Sequence, residues 1–256
     1  MTSPSEQTLL ITGANGFLAG HVIKEALEQG YDIRGTVRSP ESAKEVRDLF
    51  ADAFVGVSKP ITGVISVAAL LTLKVEDNCS QLLDPAIQGA IAMLEAVNLY
   101  GPSVQRVVTT SSITAIIDLS KEDWNPMTYA EAANADAPCS IFGPYIGGIT
   151  VLKHLNEPTA VLWSLLDAKE VPPTDFVGFV DVRVAAKAHL EVYKRPDAGG
   201  QRFLVAWPFN YQAAVDALRE DIPELVNCIP EGTKGINISN TVYGVNRKLY
   251  QLRSID

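Results

Sequence analysis

The sequence has few of the residues from which metal sites and disulfide frameworks are built. Its three cysteines, Cys79, Cys139 and Cys228, are widely spaced, and its three histidines are equally isolated. They form neither a metal-binding pair nor a disulfide framework. We therefore expect no metal, and the cysteine usage is typical of a protein in the reducing cytoplasm.

Long apolar runs and clusters of positive charge are also missing. No stretch approaches the length of a membrane span, and the first seven residues have neither the basic start nor the apolar run of a signal peptide. The formal net charge is -9 at pH 7, and Lys and Arg do not cluster. These absences predict a cytoplasmic protein with no membrane segment and no nucleic-acid partner.

The order of the predicted elements favours an α/β fold. Hydrophobic residues make up 47% of the 256 positions, enough for a sizeable core. Strand-like apolar runs alternate with segments of helical periodicity, which predicts a doubly wound parallel sheet of the Rossmann type. The predicted strands are 8–12, 31–37, 61–69, 104–112, 138–143 and 203–206; the predicted helices are 17–29, 41–50, 84–100, 181–193 and 211–219.

The turn between the first strand and the first helix has the pattern of a dinucleotide site. Gly13 permits a tight turn, Gly16 lets a pyrophosphate approach the backbone, and the small Ala19 lets the helix pack closely on the sheet. The helix N-terminus then offers free N–H groups and the positive end of its dipole to the phosphates.

A glycine-rich turn without a ligand is the alternative interpretation. However, the strand–helix–strand unit from Thr8 to Val37 spans 30 residues, close to the roughly 30 expected of a βαβ unit. We therefore assign the cofactor contacts of this turn to Gly13, Asn15, Gly16, Phe17 and Leu18.

The end of the second strand selects between the two nicotinamide cofactors. An acidic residue there holds the ribose hydroxyls of NAD, whereas a basic residue favours the extra phosphate of NADP. Arg38 lies 22 residues after Gly16, and no Asp or Glu stands at this position. The sequence thus predicts NADP rather than NAD, although a solvated surface charge would give the same residue.

Motifs spread along the chain resemble those of the extended short-chain dehydrogenase/reductases. They are TGANGFLAGHV, GTVRS, ITGVISVAA, VVTTSS, FGPYIGG and FVDVRVAAKAH. The similarity is greatest to the dihydroflavonol-reductase-like branch, which includes fungal aldehyde and ketone reductases and belongs to the NAD-dependent epimerase/dehydratase superfamily. The resemblance implies a Rossmann domain over 1–142, a region with the substrate pocket over 143–256, NADPH-dependent carbonyl reduction, and Val67 and Ala68 beside the cofactor.

The chemistry of these reductases rests on a Ser, a Tyr and a Lys, with Tyr and Lys four residues apart on one helix face. The Lys lowers the pKa of the Tyr, which gives its proton to the carbonyl oxygen, and the Ser donates a hydrogen bond to the same oxygen. Ser112 matches the catalytic serine, with Ser111 as the fallback. The alternative is that the two serines only cap the strand end.

The tyrosine–lysine helix is missing, since no tyrosine of the chain has a lysine four residues later. The resemblance places an excision between Ala137 and Pro138 and a second shortfall at Ala51–Pro60, so we expect a shortened sheet. Loss of a general acid typically costs about 10² to 10⁴ in rate. Tyr129 and Tyr145 could substitute by position, although neither has a lysine partner.

Two functions follow. The first is an NADP(H)-dependent oxidoreductase acting on a small-molecule carbonyl or alcohol, inactive or weak without its Tyr and Lys. The second is a non-catalytic nucleotide-binding protein, or a shortened splice or gene-prediction variant. Epimerase chemistry is disfavoured by the same missing pair. Five aromatic residues near the predicted pocket wall indicate an apolar or aromatic substrate, unless they are ordinary core: Phe142, Tyr145, Trp163, Phe176 and Phe179.

Overall fold

The structure, a computed structural model, describes residues 2–53, 59–68, 76–111, 140–147, 155–174 and 178–235. The strands in these ranges are β1 (Thr8–Ile11), β2 (Asp32–Gly35), β3 (Ile61–Ser66), β4 (Arg106–Thr109), β5 (Ser140–Phe142), β6 (Gly178–Asp181) and β7 (Trp207–Pro208). The helices are α1 (Phe17–Glu28), α2 (Pro40–Leu49), α3 (Asp84–Tyr100), α4 (Glu157–Trp163), α5 (Val182–Lys194) and α6 (Tyr211–Asp221).

The strands form two sheets. The first is wholly parallel with the order β2-β1-β3-β4, and the second has the order β5-β6-β7, in which β7 runs antiparallel to β6. The predicted α/β fold with a parallel sheet is therefore confirmed. Within the described ranges β2 forms one edge of the first sheet and no pairing joins β4 to β5. The expected shortening of the sheet falls mainly on residues outside these ranges and stays a prediction.

Helix α5, which comes late in the chain, packs on the first sheet. Leu9 and Ile11 of β1 are fully buried in one core with Leu190 and Tyr193 of α5, and each such side chain contributes about 1.5–3 kcal/mol by its burial. The Tyr193 hydroxyl donates a hydrogen bond to the buried amide oxygen of Gln7 at 2.7 Å. Helix α5 is thus part of the frame that supports β1 and the turn after it.

Local capping explains where several helices begin. The Ser39 side chain accepts from the backbone N–H of Ser42 at the start of α2, and Asn210 does the same for Ala213 in α6. Asp181 caps α5, accepting from the backbone N–H of Arg183 at 2.8 Å. Its carboxylate also pairs with the Arg183 guanidinium, and these hydrogen bonds lower the pKa of Asp181.

Helix α3 leaves several apolar residues exposed. The predicted helix is confirmed, but its apolar residues Ile87, Ile91 and Leu94 are exposed. It continues from a π-helical turn, Cys79–Leu83. No helix of the described residues is both long enough and apolar enough to cross a membrane.

One strand prediction was wrong. Residues 203–206 have no regular structure, and the last strand is β7 instead. Trp207 pairs with Phe179 and Pro208 pairs with Gly178.

Candidate dinucleotide site

The glycine turn after β1 is held by the end of β2. Gly13 has a φ of 64°, which favours glycine, and its backbone N–H donates to the Thr36 hydroxyl at 3.2 Å. The N–H of Ala14 donates to the Thr36 carbonyl at 2.8 Å, and that of Gly16 donates to the Gly13 carbonyl at 2.8 Å. Thr36 therefore helps to fix a turn that was predicted from its glycines alone.

The glycine turn leaves no room for further side chains where the ends of β1, β2 and β3 meet. A Cβ on Gly13 would lie 3.1 Å from the Cβ of Ala68, and one on Gly16 would lie 3.0 Å from the Gly13 carbonyl oxygen. A Cβ on Gly35 would lie 2.6 Å from the Cβ of Ala14. Gly35, in the GTVRS motif, was not predicted as a site residue, yet it allows the turn to approach β2.

The N-terminus of α1 is suited to an anion. Gly16 is its N-cap and has no side chain to satisfy the first N–H groups of the helix, which begins with Phe17 and Leu18. These donors and the positive end of the helix dipole favour a phosphate. Asn15 donates from its amide to the Ser42 hydroxyl at 3.2 Å, so this predicted cofactor residue also connects the turn to α2.

Thr12 joins the turn to the end of β3. Its hydroxyl oxygen accepts from the backbone N–H of Val67 at 3.1 Å and from that of Ala68 at 2.9 Å. Val67 and Ala68 thus lie beside the glycine turn, and their contact with the cofactor stays a prediction. Thr12 itself was missed, although its place directly before the first glycine was the available signal.

Arg38 lies between β2 and the Ser39 cap of α2. It is exposed, and no ion pair joins it to another residue of the described ranges. The other cations nearby are engaged, since Arg34 donates to the Lys59 carbonyl at 3.1 Å and Lys44 pairs with Asp48 at 2.5 Å. Arg38 is therefore an exposed cation at the end of β2 for which the described ranges show no ion pair.

The serine segment, residues 110–112, follows β4 directly in the sequence. The backbone N–H of Thr110 donates to the Ser66 carbonyl at 2.9 Å, and its hydroxyl lies 2.7 Å from Nε2 of His189 on α5. Ser111 follows and is exposed. Ser112, the predicted catalytic serine, lies outside the described residues, as do Tyr129 and Phe176.

The segment from Gly143 to Gly147 lies against α1. The rings of Tyr145 and Phe17 have centroids 4.8 Å apart, and His21 donates from Nε2 to the Pro144 carbonyl at 2.8 Å. The Tyr145 hydroxyl accepts from the backbone N–H of Asn156 at 2.5 Å. This tyrosine is thus next to the first residue of α1.

The aromatic residues of the predicted pocket wall do not share one environment. Phe142 and Phe179 pack with Phe209 in the core beside the second sheet, with ring centroids 5.6 to 6.1 Å apart. This packing favours the ordinary-core alternative for both. Trp163 is exposed at the end of α4.

Nowhere in the described part of the chain do three or more His, Cys, Asp or Glu residues gather as metal ligands would.

A glycine turn between a parallel strand and a helix, beside the ends of the two neighbouring strands, defines a Rossmann-type dinucleotide-binding protein. Residues 9–145 match the NAD dependent epimerase/dehydratase family. The chain belongs to this family, which confirms the resemblance inferred from its motifs.

Similar proteins include several reductases. The chain is 30% identical to the NADPH-dependent methylglyoxal reductase of Saccharomyces cerevisiae, over 93% of this chain and 89% of that protein. The yeast methylglyoxal/isovaleraldehyde reductase complexed with NADPH has a TM-score of 0.85 at 26% identity, covering 98% of this chain and 94% of that chain. Cinnamoyl-CoA reductase of Medicago truncatula is 28% identical, over 84% and 81% of the two chains.

The alignment with the Saccharomyces cerevisiae reductase also bears on the expected excision. It spans 304 residues, whereas this chain has 256. The match therefore extends across stretches of the yeast protein that have no counterpart here. Internal losses were the expectation from the missing tyrosine–lysine helix.

Proposed function

We propose that this chain is an NADP(H)-dependent oxidoreductase of the aldehyde and ketone reductase type, with slow turnover. The observation that carries the proposal is the glycine turn, where a Cβ on Gly13 would contact Ala68 and the α1 N-terminus has no side-chain cap. These features fit a pyrophosphate, and the exposed Arg38 fits the extra phosphate of NADP. The NADPH-bound yeast relative supports the same choice of cofactor.

When bound, NADPH supplies a hydride for a carbonyl carbon. The residues of this chain hold the dinucleotide through Gly13, Gly16 and the first N–H groups of α1, with Val67 and Ala68 beside it. Ser112, with Ser111 as the fallback, donates a hydrogen bond to the carbonyl oxygen of a small-molecule substrate.

No residue of the chain repeats the family's Tyr-x-x-x-Lys pair, so proton delivery to that oxygen is the weak step. We place the rate about 10² to 10⁴ below that of a complete reductase. We further propose a cytoplasmic location and a division into a cofactor region, 1–142, and a region with the substrate pocket, 143–256.

The test is titration calorimetry with NADPH and NADH, followed by NADPH consumption with methylglyoxal, isovaleraldehyde and an aromatic ketone. We expect NADPH to bind more tightly than NADH, and slow consumption with at least one aldehyde or ketone. Absence of NADPH binding to the folded chain would overturn the proposal.

A second candidate is a non-catalytic NADPH-binding protein, favoured by the missing Tyr and Lys and by the alignment that exceeds the chain's own length. Tight NADPH binding with no consumption of any carbonyl compound is the result that selects it. Sequencing the transcript separates a genuine short form from an artefact, because an artefact leaves only a full-length message.

A further inference from the structure

A hydrogen bond joins Thr110, the residue directly after β4, to His189 on α5, beside the serine segment. The Thr110 hydroxyl oxygen is 2.7 Å from Nε2 of His189, and Nδ1 of the same ring is 2.7 Å from the Ala185 carbonyl oxygen. Both ring nitrogens are therefore engaged, one by the strand end and one by the helix that carries the histidine.

The partners of the ring determine which nitrogen carries the proton. A carbonyl oxygen can only accept, so Nδ1 of His189 donates to Ala185. Burial of the imidazole lowers the pKa of His189 and keeps the ring neutral at pH 7. A neutral ring protonated at Nδ1 has a lone pair on Nε2, and the Thr110 hydroxyl donates to it.

His189 lies on α5, a helix that packs into the main core. Its neighbours Ala186, Leu190 and Tyr193 belong to the main core. At the other end of β4, the Arg106 guanidinium donates to the carbonyls of Val192 at 2.9 Å and Arg195 at 2.5 Å. Strand β4 is thus fastened to α5 near both of its ends.

Thr110 is the last point of fixation before the serines. Its backbone is held by Ser66 of β3 and its hydroxyl by His189, and exposed Ser111 comes next. Displacement of the Thr110 backbone would change the direction in which the chain leaves the sheet, and the bond from its hydroxyl to His189 opposes that displacement.

We propose that His189 is a positioning residue which, through the Thr110 hydroxyl, sets the direction in which the end of β4 presents Ser111 to the carbonyl substrate. The catalytic part of this inference rests on the proposed function. His189 does not touch the substrate, and its contribution passes entirely through Thr110.

The first test compares Thr110→Val, which has the same shape without the hydroxyl, with Thr110→Ser, which keeps the hydroxyl. Thr109→Val is the matched control, since Thr109 is the adjacent threonine, is exposed and ends β4. We expect T110V and His189→Phe each to lower kcat about three- to tenfold, as loss of one hydrogen bond does, with the NADPH Kd unchanged. T110S and T109V keep the wild-type kcat.

The double variant T110V/H189F is the decisive comparison for a contribution that passes through one bond. We expect it to be no slower than either single variant, because both remove the same interaction. Multiplication of the two effects, or an equal loss in T110S, would contradict the inference.

A second measurement needs no turnover and therefore separates this inference from the proposed function. Amide hydrogen exchange reports local opening. We expect H189F to speed exchange of the Thr110 amide more than that of amides in β1, and T109V to change neither. If the wild-type chain binds no NADPH, the proposed function fails. This measurement still shows whether the hydrogen bond between His189 and Thr110 holds the end of β4 in place. If H189F leaves the ratio of the Thr110 exchange rate to the exchange rates in β1 unchanged, the inference is overturned.

Discussion

The hydroxyl oxygen of Thr12 accepts a hydrogen bond from the backbone N–H of Ala68 at 2.9 Å, directly beside Gly13. A second bond from Val67 completes the link. One small side chain thus sets the spacing between the ends of β1 and β3, and with it the width of the proposed pyrophosphate site.

Removing the Thr12 hydroxyl should loosen this link. Thr12→Val keeps the β-branched shape but leaves the two N–H groups to water, so we expect the free energy of unfolding in urea to fall by about 1 kcal/mol. The NADPH Kd should rise in parallel. Thr12→Ser retains the hydroxyl and is the control; equal behaviour of the two variants would mean that the bonds contribute nothing.

Gly13→Ala should affect both folding and binding, whereas Gly30→Ala should affect folding alone. Both glycines have positive φ values, 64° and 86°, so an alanine at either position is strained by roughly 1–2 kcal/mol. Only the Cβ at Gly13 meets a neighbour, Ala68, while that at Gly30 has open space. Calorimetry should find NADPH binding lost in G13A and kept in G30A; retained binding in G13A would argue against the turn as the phosphate site.

Arg38→Ala should weaken NADPH binding about tenfold or more, as expected for loss of a hydrogen-bonded charge partner, with little effect on NADH. The loss should shrink as ionic strength rises, because Arg38 is exposed. Arg47→Ala on α2 serves as a control for loss of a surface cation. If R38A weakens NADH and NADPH equally, Arg38 does not recognise the extra phosphate.

The stability of the chain should depend on pH through His189. Its pKa is lowered by burial in the folded state, so the unfolded chain binds more protons at mildly acidic pH. The stabilisation associated with the neutral ring is then present above the unfolded pKa, about 6.5, and lost as the pH falls toward the folded pKa. Urea unfolding of the wild type and of His189→Gln should show a difference that shrinks from pH 7.5 to pH 5; a constant difference would contradict the prediction.

Local signals in the sequence predicted much of the fold. Asp181 marks the start of α5, and Gly13 and Gly16 mark the turn, because capping and positive φ values depend on residues near in sequence. The contacts of Thr12, Thr36 and Gly35 could not be found this way. They depend on β1 lying between β2 and β3, which is a property of the whole sheet.

The site was predictable to the same degree. Arg38, Val67 and Ala68 lie at the strand ends where the motifs placed them, and their roles remain predictions, as does that of Ser112. His189 was dismissed as an isolated histidine because its partner Thr110 is 79 residues away in the chain. Sequence spacing alone does not reveal such a pair.

The packing of α5 on β1 also affects how the protein is made. Tyr193 and Gln7, joined by a hydrogen bond, are separated by 186 residues. Contacts of such long range slow folding, since the chain must close a large loop before it gains them. During synthesis at about 5–20 residues per second, the N-terminal strand must wait on the order of ten seconds or more for its last covering helix. Over that interval the nascent chain exposes apolar surface that a chaperone would recognise.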